Sequence, residues 1–150
     1  MSRYLESSIC TALMRIGTRM AGGFDTHFVP LGITQAQFRT LLAIRERGGA
    51  AGLTPSELAD HLLIERATVS VLTSRMVARG WVARKPGANR RTFQLVLTAA
   101  GRRLLQKLIP RAVALANETL RHIPRGQLRQ MLAGLELVEA RLRAKPRGND

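Results

Sequence analysis

LTPSELADHLLIERATVSVLTSRMVARGWVARKPGANRRTFQLVLTAAG, residues Leu53–Gly101, decides how this chain is read. Thr54-Pro55-Ser56-Glu57 is a strong helix start: Thr54 caps, Pro55 takes the first helical position and Glu57 completes a capping box. That helix is short and ends near Leu63. A tight turn at Leu63–Glu65 leads into a second helix, predicted from about Arg66 to Arg79 and terminated by Gly80 as a left-handed cap. Val69, Leu72 and Met76 share one face and are predicted core, while Ala67, Ser70, Val71, Ser74 and Arg75 lie on the other side. Trp81–Lys85 and Phe93–Leu97 read as short strands, joined by a polar, cationic tip at Pro86-Gly87-Ala88-Asn89-Arg90-Arg91.

Helices flank this unit. Leu5, Ile9, Leu13, Ile16, Met20 and Phe24 recur at three- and four-residue steps, so residues 3–29 are expected to form one long helix, stopped by Pro30 and Gly32. Thr34 and Gln37 form a capping box for the next helix, whose buried side is Phe38, Leu41, Leu42 and Ile44. Gly48, Gly49 and Gly52 break the chain before Thr54. On the other side, Thr98 caps a long helix to about His122, with a kink expected at Pro110. Pro124 opens a last helix with Leu128, Met131, Leu132, Leu135, Val138 and Leu142 along one face, and Pro146–Asp150 is expected to fray. The first and last helices carry longer apolar stripes than a chain of this size has core to cover. Such stripes mark a partner surface, most simply a two-fold homodimer.

The formal net charge is +14, with Lys and Arg together 24 and pI near 11.8, which points to a polyanionic partner. Position sharpens that reading. Between Arg66 and Asn117 there is no Asp or Glu, yet the stretch holds Arg66, Arg75, Arg79, Arg84, Lys85, Arg90, Arg91, Arg102, Arg103, Lys107 and Arg111. A helix that only faces water mixes both signs. The single cysteine, Cys10, cannot make an internal disulfide and fits a reducing cytoplasm. The first residues lack a secretory signal and no apolar run reaches the roughly 20 residues of a membrane span, so a cytoplasmic protein with no membrane partner is expected.

The central unit fits double-stranded DNA. A helix enters the major groove, roughly 12 Å wide, and needs a small polar outer face for its backbone to come close. Ala67, Thr68, Ser70 and Ser74 supply that face, and Arg66 and Arg75 reach guanine edges or phosphates. Arg90 and Arg91, with Lys85 beside them, form a thin cationic finger suited to the minor groove, where negative potential is enhanced. Thr54 and Ser56, at a helix start, are candidates for phosphate. Two rival readings are a winged-helix module for protein assembly and an RNA binder. The first has no need of an acid-free stretch. The second calls for exposed aromatics, and Trp, Tyr and Phe here number only 1, 1 and 4.

The Leu53–Gly101 run resembles the MarR family of bacterial regulators, and the resemblance extends from about Leu5 to Leu142. Asn89-x-Arg91 followed by Leu97-Thr98-x-x-Gly101 looks like the family's wing signature, with Asn89 where the family usually has Asp. Arg91 matches the arginine that the family places in the minor groove. The resemblance implies a mainly α fold with a small β-hairpin. A winged helix-turn-helix lobe at 34–98 is flanked by dimerisation helices at 3–31 and 99–145. It further implies a homodimeric transcription regulator, in most members a repressor, that binds a pseudo-palindromic operator, with the helix at about 66–79 in the major groove and the wing at 85–92 in the minor groove. Release by a small anionic or aromatic ligand, or by an oxidant, is the family habit.

Candidate sensing residues follow. Cys10 stands at a distance from Leu31-Gly32 similar to that of the reactive cysteine in the family's organic-hydroperoxide-sensing branch. That branch uses tyrosines to hold the thiol, whereas here Met14 and Phe38 occupy the expected positions and Tyr4 is the sole tyrosine. Cys10 is therefore either a redox thiol or a packed small hydrophobe. Arg15, His27, Phe28 and Phe38 are candidates for a ligand pocket, with Arg15 as the carboxylate partner. No enzyme activity, cofactor or metal is expected: His27, His61 and His122 are scattered, without metal-ligand spacing.

Overall fold

A computed structural model describes residues 4–144. The elements run α1 (Leu5–Phe28), a 3-10 turn (Val29–Leu31), α2 (Gln35–Ala43), a π turn (Ile44–Gly48), α3 (Pro55–Leu62), α4 (Arg66–Ala78), β1 (Val82–Pro86), β2 (Phe93–Leu97), α5 (Ala99–Thr119) and α6 (Arg125–Ala144). This is the mainly helical order with one hairpin that the sequence predicts. The chain divides into two units, Met1–Val113 and Ala114–Asp150. The predicted tail at Pro146–Asp150, and the outer limits Arg3 and Lys145 of the terminal helices, lie outside the described residues.

In the first unit the caps form as the sequence dictates. Thr34 Oγ1 accepts from the Gln37 amide at 3.1 Å while Gln37 Oε1 accepts from the Thr34 amide at 3.0 Å. Thr54 and Glu57 repeat the exchange at 3.1 and 2.8 Å. Each box satisfies donors that a helix start otherwise leaves unpaired. The core gathers Phe28, Ile33, Leu41, Ile44, Leu58, Val69, Met76, Val82, Leu95 and Leu105. Phe28 stacks on Phe38 with ring centroids 5.1 Å apart, tying α1 to α2.

Helix ends decide the geometry of the central unit. After α4 the amide of Gly80 donates to Val77 and that of Trp81 to Met76, with Gly80 left-handed at φ 74. This double return is a Schellman end, and it uses Trp81 as part of the turn. The first strand therefore starts at Val82 and not at Trp81, and it takes in Pro86, which the sequence reading put in the tip. After α3 the same device appears with an unexpected residue: Leu63, not a glycine, takes the left-handed conformation at φ 56, and the Ile64 amide donates to Ala59. A further finding is a short third strand partner. Leu53 pairs with Leu95, amide to carbonyl in both directions at 3.0 and 2.7 Å, so β2 is bonded on both edges.

Gly101 has a packing reason. A Cβ there would run into the carbonyl oxygen of Trp81. Thr98 completes the corner. Its hydroxyl donates to the Gly80 carbonyl and accepts from the Gly101 amide, and its own amide donates to Trp81. α5 passes through Pro110 and ends at Thr119, short of the predicted His122. In the second unit, α6 has no buried residue, and Met131, Leu132, Leu135, Val138 and Leu142 are exposed.

Two substitutions test these ends. Leu63 is 74% exposed, so it gives up little packing, while an L-residue in the left-handed region costs about 1 kcal/mol or more. Leu63→Asn is expected to raise the unfolding free energy by about 0.5–1 kcal/mol in urea titration; a loss of that size would show that the turn is not strained. Gly101→Ala is expected to lower it by about 2 kcal/mol or more, because α5 must withdraw from Trp81, and an unchanged midpoint would contradict that contact.

Candidate nucleic-acid interface

α4 turns its buried face inward through Val69, Thr73 and Met76. Thr73 hides its hydroxyl by donating to the Val69 carbonyl at 2.8 Å, which explains how a polar residue joins the core. Leu72, predicted core, is half-buried. The outer face is the predicted one: Arg66, Ala67, Thr68, Ser70, Val71, Ser74 and Arg75 are all exposed. Ser74 is not wholly free, because Arg84 Nη2 donates to its hydroxyl at 3.1 Å. The Arg84 guanidinium also lies over the Phe93 ring, 5.4 Å from its centroid. A side chain of β1 thus reaches from the hairpin to the outward face of α4.

The hairpin is antiparallel, with register Val82↔Leu97, Arg84↔Leu95 and Pro86↔Phe93. Residues directly opposite share a face, so Val82, Arg84, Leu95 and Leu97 turn toward the core side and Lys85 and Val96 turn away. Lys85, Arg90 and Arg91 are exposed. The tip is a closed turn: the Gly87 amide donates to the Thr92 carbonyl at 3.0 Å, and Asn89 Oδ1 accepts from the Arg91 amide at 3.0 Å. Asn89 therefore fixes the backbone of Arg91 through an Asx-type turn, a task that needs a side-chain oxygen and no charge. Salt bridges among the described residues join Arg45–Glu46, Arg121–Glu118 and Arg143–Glu139. None of these touches α4 or the tip.

Thr54 and Ser56 sit half-buried at the start of α3, and the Thr54 oxygen is already occupied as a cap. The predicted ligand pocket is redrawn. Phe28 is 1% exposed and belongs to the core. Arg15 is exposed on α1. His27 is exposed and hydrogen-bonded through Nδ1 to the Gly23 carbonyl at 2.9 Å. Of the four residues, only Phe38 lines the groove of about 300 Å³ between α1 and α2, together with Met20, Phe24, Gln35 and Arg39. The cation there is Arg39, which the sequence reading missed because it sits between apolar core positions of α2. Cys10 is exposed on α1. Among the described residues no three His, Cys, Asp or Glu side chains converge as a metal site, and no helix is long and apolar enough to cross a membrane.

Helix, left-handed turn, helix and two-stranded wing, in that order, define a winged helix-turn-helix protein. Comparison with known proteins shows what the chain is similar to. Residues 31–91 match the model of the MarR family. The chain is 38% identical over 77 residues to the multiple antibiotic resistance protein MarR of Escherichia coli K12, a match spanning 51% of this chain and only about half, 51%, of that protein. It is 24% identical over 131 residues to the HTH-type transcriptional regulator PecS of Dickeya dadantii, covering 87% of this chain and 79% of PecS. The crystal structure of wild-type apo MarR from E. coli superposes with a TM-score of 0.71 at 25% identity, over 85% of this chain and 94% of that one. Residues 31–91 are thus similar to the MarR family in sequence, and the chain shares its fold with E. coli MarR.

Asn89→Ala tests the tip. Loss of the side-chain acceptor is expected to speed hydrogen exchange of the Arg91 amide at least several-fold with global stability changed by less than about 1 kcal/mol. Unaltered exchange at Arg91 would show that Asn89 does not hold the tip.

Proposed function

We propose that this chain is a homodimeric transcription regulator, a repressor, that binds a pseudo-palindromic double-stranded operator and is released by a small ligand. The observation that carries the reading is the outward face of α4, small in side chains and edged by Arg66 and Arg75, beside a wing whose Arg90 and Arg91 are exposed and have no salt bridge among the described residues. α4 lies in the major groove, with Ala67, Thr68, Ser70 and Ser74 against base edges. The wing at 85–92 enters the minor groove, and Ser56 and Thr54 meet phosphate at the start of α3. That PecS is by name an HTH-type transcriptional regulator adds support.

The dimer is the second part of the proposal. Leu5, Ile9, Ile16 and Met20 on α1 are exposed in the isolated chain, as are Met131, Leu132, Leu135, Val138 and Leu142 on α6. Large apolar side chains repeated along a helix and left in water favour a second copy. The Arg39 groove is the candidate seat of an anionic or aromatic effector, with its apolar wall from Met20, Phe24 and Phe38.

Duplex affinity measured against salt tests the reading. A dimer that neutralises about 6–10 phosphates loses about 10³–10⁵ in affinity between roughly 50 and 200 mM salt. Arg91→Ala is expected to weaken binding to every sequence and to lower the slope by about one per protomer. Ser70→Leu is expected to abolish preference for the operator while non-specific binding persists. A flat salt profile sinks DNA as the partner, and equal loss of both modes in Ser70→Leu sinks the major-groove placement.

A further inference from the structure

The solvent side of the hairpin carries a second cationic feature that neither α4 nor the wing tip explains. Arg45, Lys85 and Arg102 line one groove of about 440 Å³. Three different elements bring them there: Arg45 the π turn after α2, Lys85 strand β1, and Arg102 the first turn of α5. The floor is apolar, formed by Val96 and Leu97, which are 7% and 9% exposed. The loop at Gly49–Ala50 forms a wall.

Like charges brought together from separate elements repel one another, and water alone is a poor remedy over an apolar floor. The internal neutralisation is slight. Arg45 meets Glu46 at 3.5 Å, but both side chains are largely exposed, at 42% and 57%, so that pair is weak. Neither Lys85 nor Arg102 has a salt bridge among the described residues. Arg102 is nevertheless held in place, because its Nη1 donates to the Leu97 carbonyl at 3.0 Å. A guanidinium has five N–H donors, so this bond orients the head and leaves most of the fork for a ligand.

We propose that this groove is a phosphate site. Three cations around one concavity call for more than the single charge of a carboxylate. Phosphate-type groups carry the charge and the several acceptor oxygens that two guanidinium forks and an ammonium can meet together. The phosphate has two possible sources: the backbone of a bound duplex continuing past the wing, which rests on the DNA-binding reading above, or a free phosphorylated compound.

Inorganic pyrophosphate, titrated into the full-length protein under amide NMR, tests the site. Saturable shifts are expected at Gly49, Ala50, Val96 and Leu97. Arg45→Gln, which removes a guanidinium charge without touching the Arg102 anchor, is expected to weaken the affinity about ten-fold. Arg111→Gln, an equal loss of charge outside the groove, is expected to leave it within about two-fold. Shifts confined to the tip at Gly87–Thr92, or equal weakening by both variants, would overturn the proposal as mere charge attraction. A duplex arm then separates the sources. If Arg45→Gln lowers the salt slope of duplex binding by about one per protomer, the duplex supplies the phosphate. If the slope is unchanged while pyrophosphate still binds, a free compound does. Failure of the wild type to bind any duplex would refute the DNA reading and leave the pyrophosphate result to judge the groove by itself.

Discussion

Leu95 sits where β2 is bonded on both edges, and the geometry of the candidate interface depends on it. Its amide and carbonyl exchange hydrogen bonds with Leu53, while it stands opposite Arg84 in the hairpin. A two-stranded hairpin is marginally stable in water by itself. The third partner changes that, and it comes from the residue directly before the Thr54 cap of α3. The start of the helix-turn-helix and the base of the wing are therefore one hydrogen-bonded assembly. With the Leu95 side chain at 0% exposure, sliding the wing by one residue would turn an inward leucine toward solvent, so the register is fixed as well as the attachment.

From that anchor the constraint spreads through two corners. One is the turn after α4, where Gly80, Trp81, Thr98 and Gly101 interlock and the bare glycine lets α5 approach the Trp81 carbonyl. The other is Arg84, lying over Phe93 and bonded to Ser74. Neither Arg84 contact contributes more than about 1 kcal/mol. Their value is directional: they set the hairpin at a fixed angle to α4, and on the proposed reading an interface that enters two grooves of a duplex at once needs that angle more than it needs stability.

The sequence announces those parts of this arrangement that local chemistry writes out. Both capping boxes are legible because Thr followed three residues later by Gln or Glu has one physical meaning before an apolar run. Gly80 is legible for the same kind of reason, as is the outer face of α4. The Leu53–Leu95 pairing has no periodicity to reveal it, since a single residue forms it across a long separation in sequence. The turn at Leu63 is legible but its left-handed backbone is not, because nothing in the side chain favours that region; the surrounding fold imposes it. The strand start slips from Trp81 to Val82 because the helix end consumes one residue more than a glycine cap alone suggests. Arg15 and His27 fall outside the groove beside Arg39 because helix phase, and not chemical suitability, decides which side chains reach it.

Two unmet demands remain in the single chain, and they differ in kind. No Asp or Glu lies between Arg66 and Arg111, and among the described residues the ion pairs form elsewhere, at Arg45–Glu46, Arg121–Glu118 and Arg143–Glu139. Apolar side chains on α1 and α6 are separately left in water. A polyanion answers the first and cannot answer the second; a second copy answers the second and, by bringing in more positive charge, worsens the first. Dimerisation and duplex binding are therefore complementary on the reading proposed here. Pairing the apolar helices brings two sets of cations into one assembly, and the duplex supplies the negative charge that offsets their repulsion. It follows that the dimer should be most resistant to dissociation when the duplex is bound, since each association relieves a cost that the other creates or leaves standing.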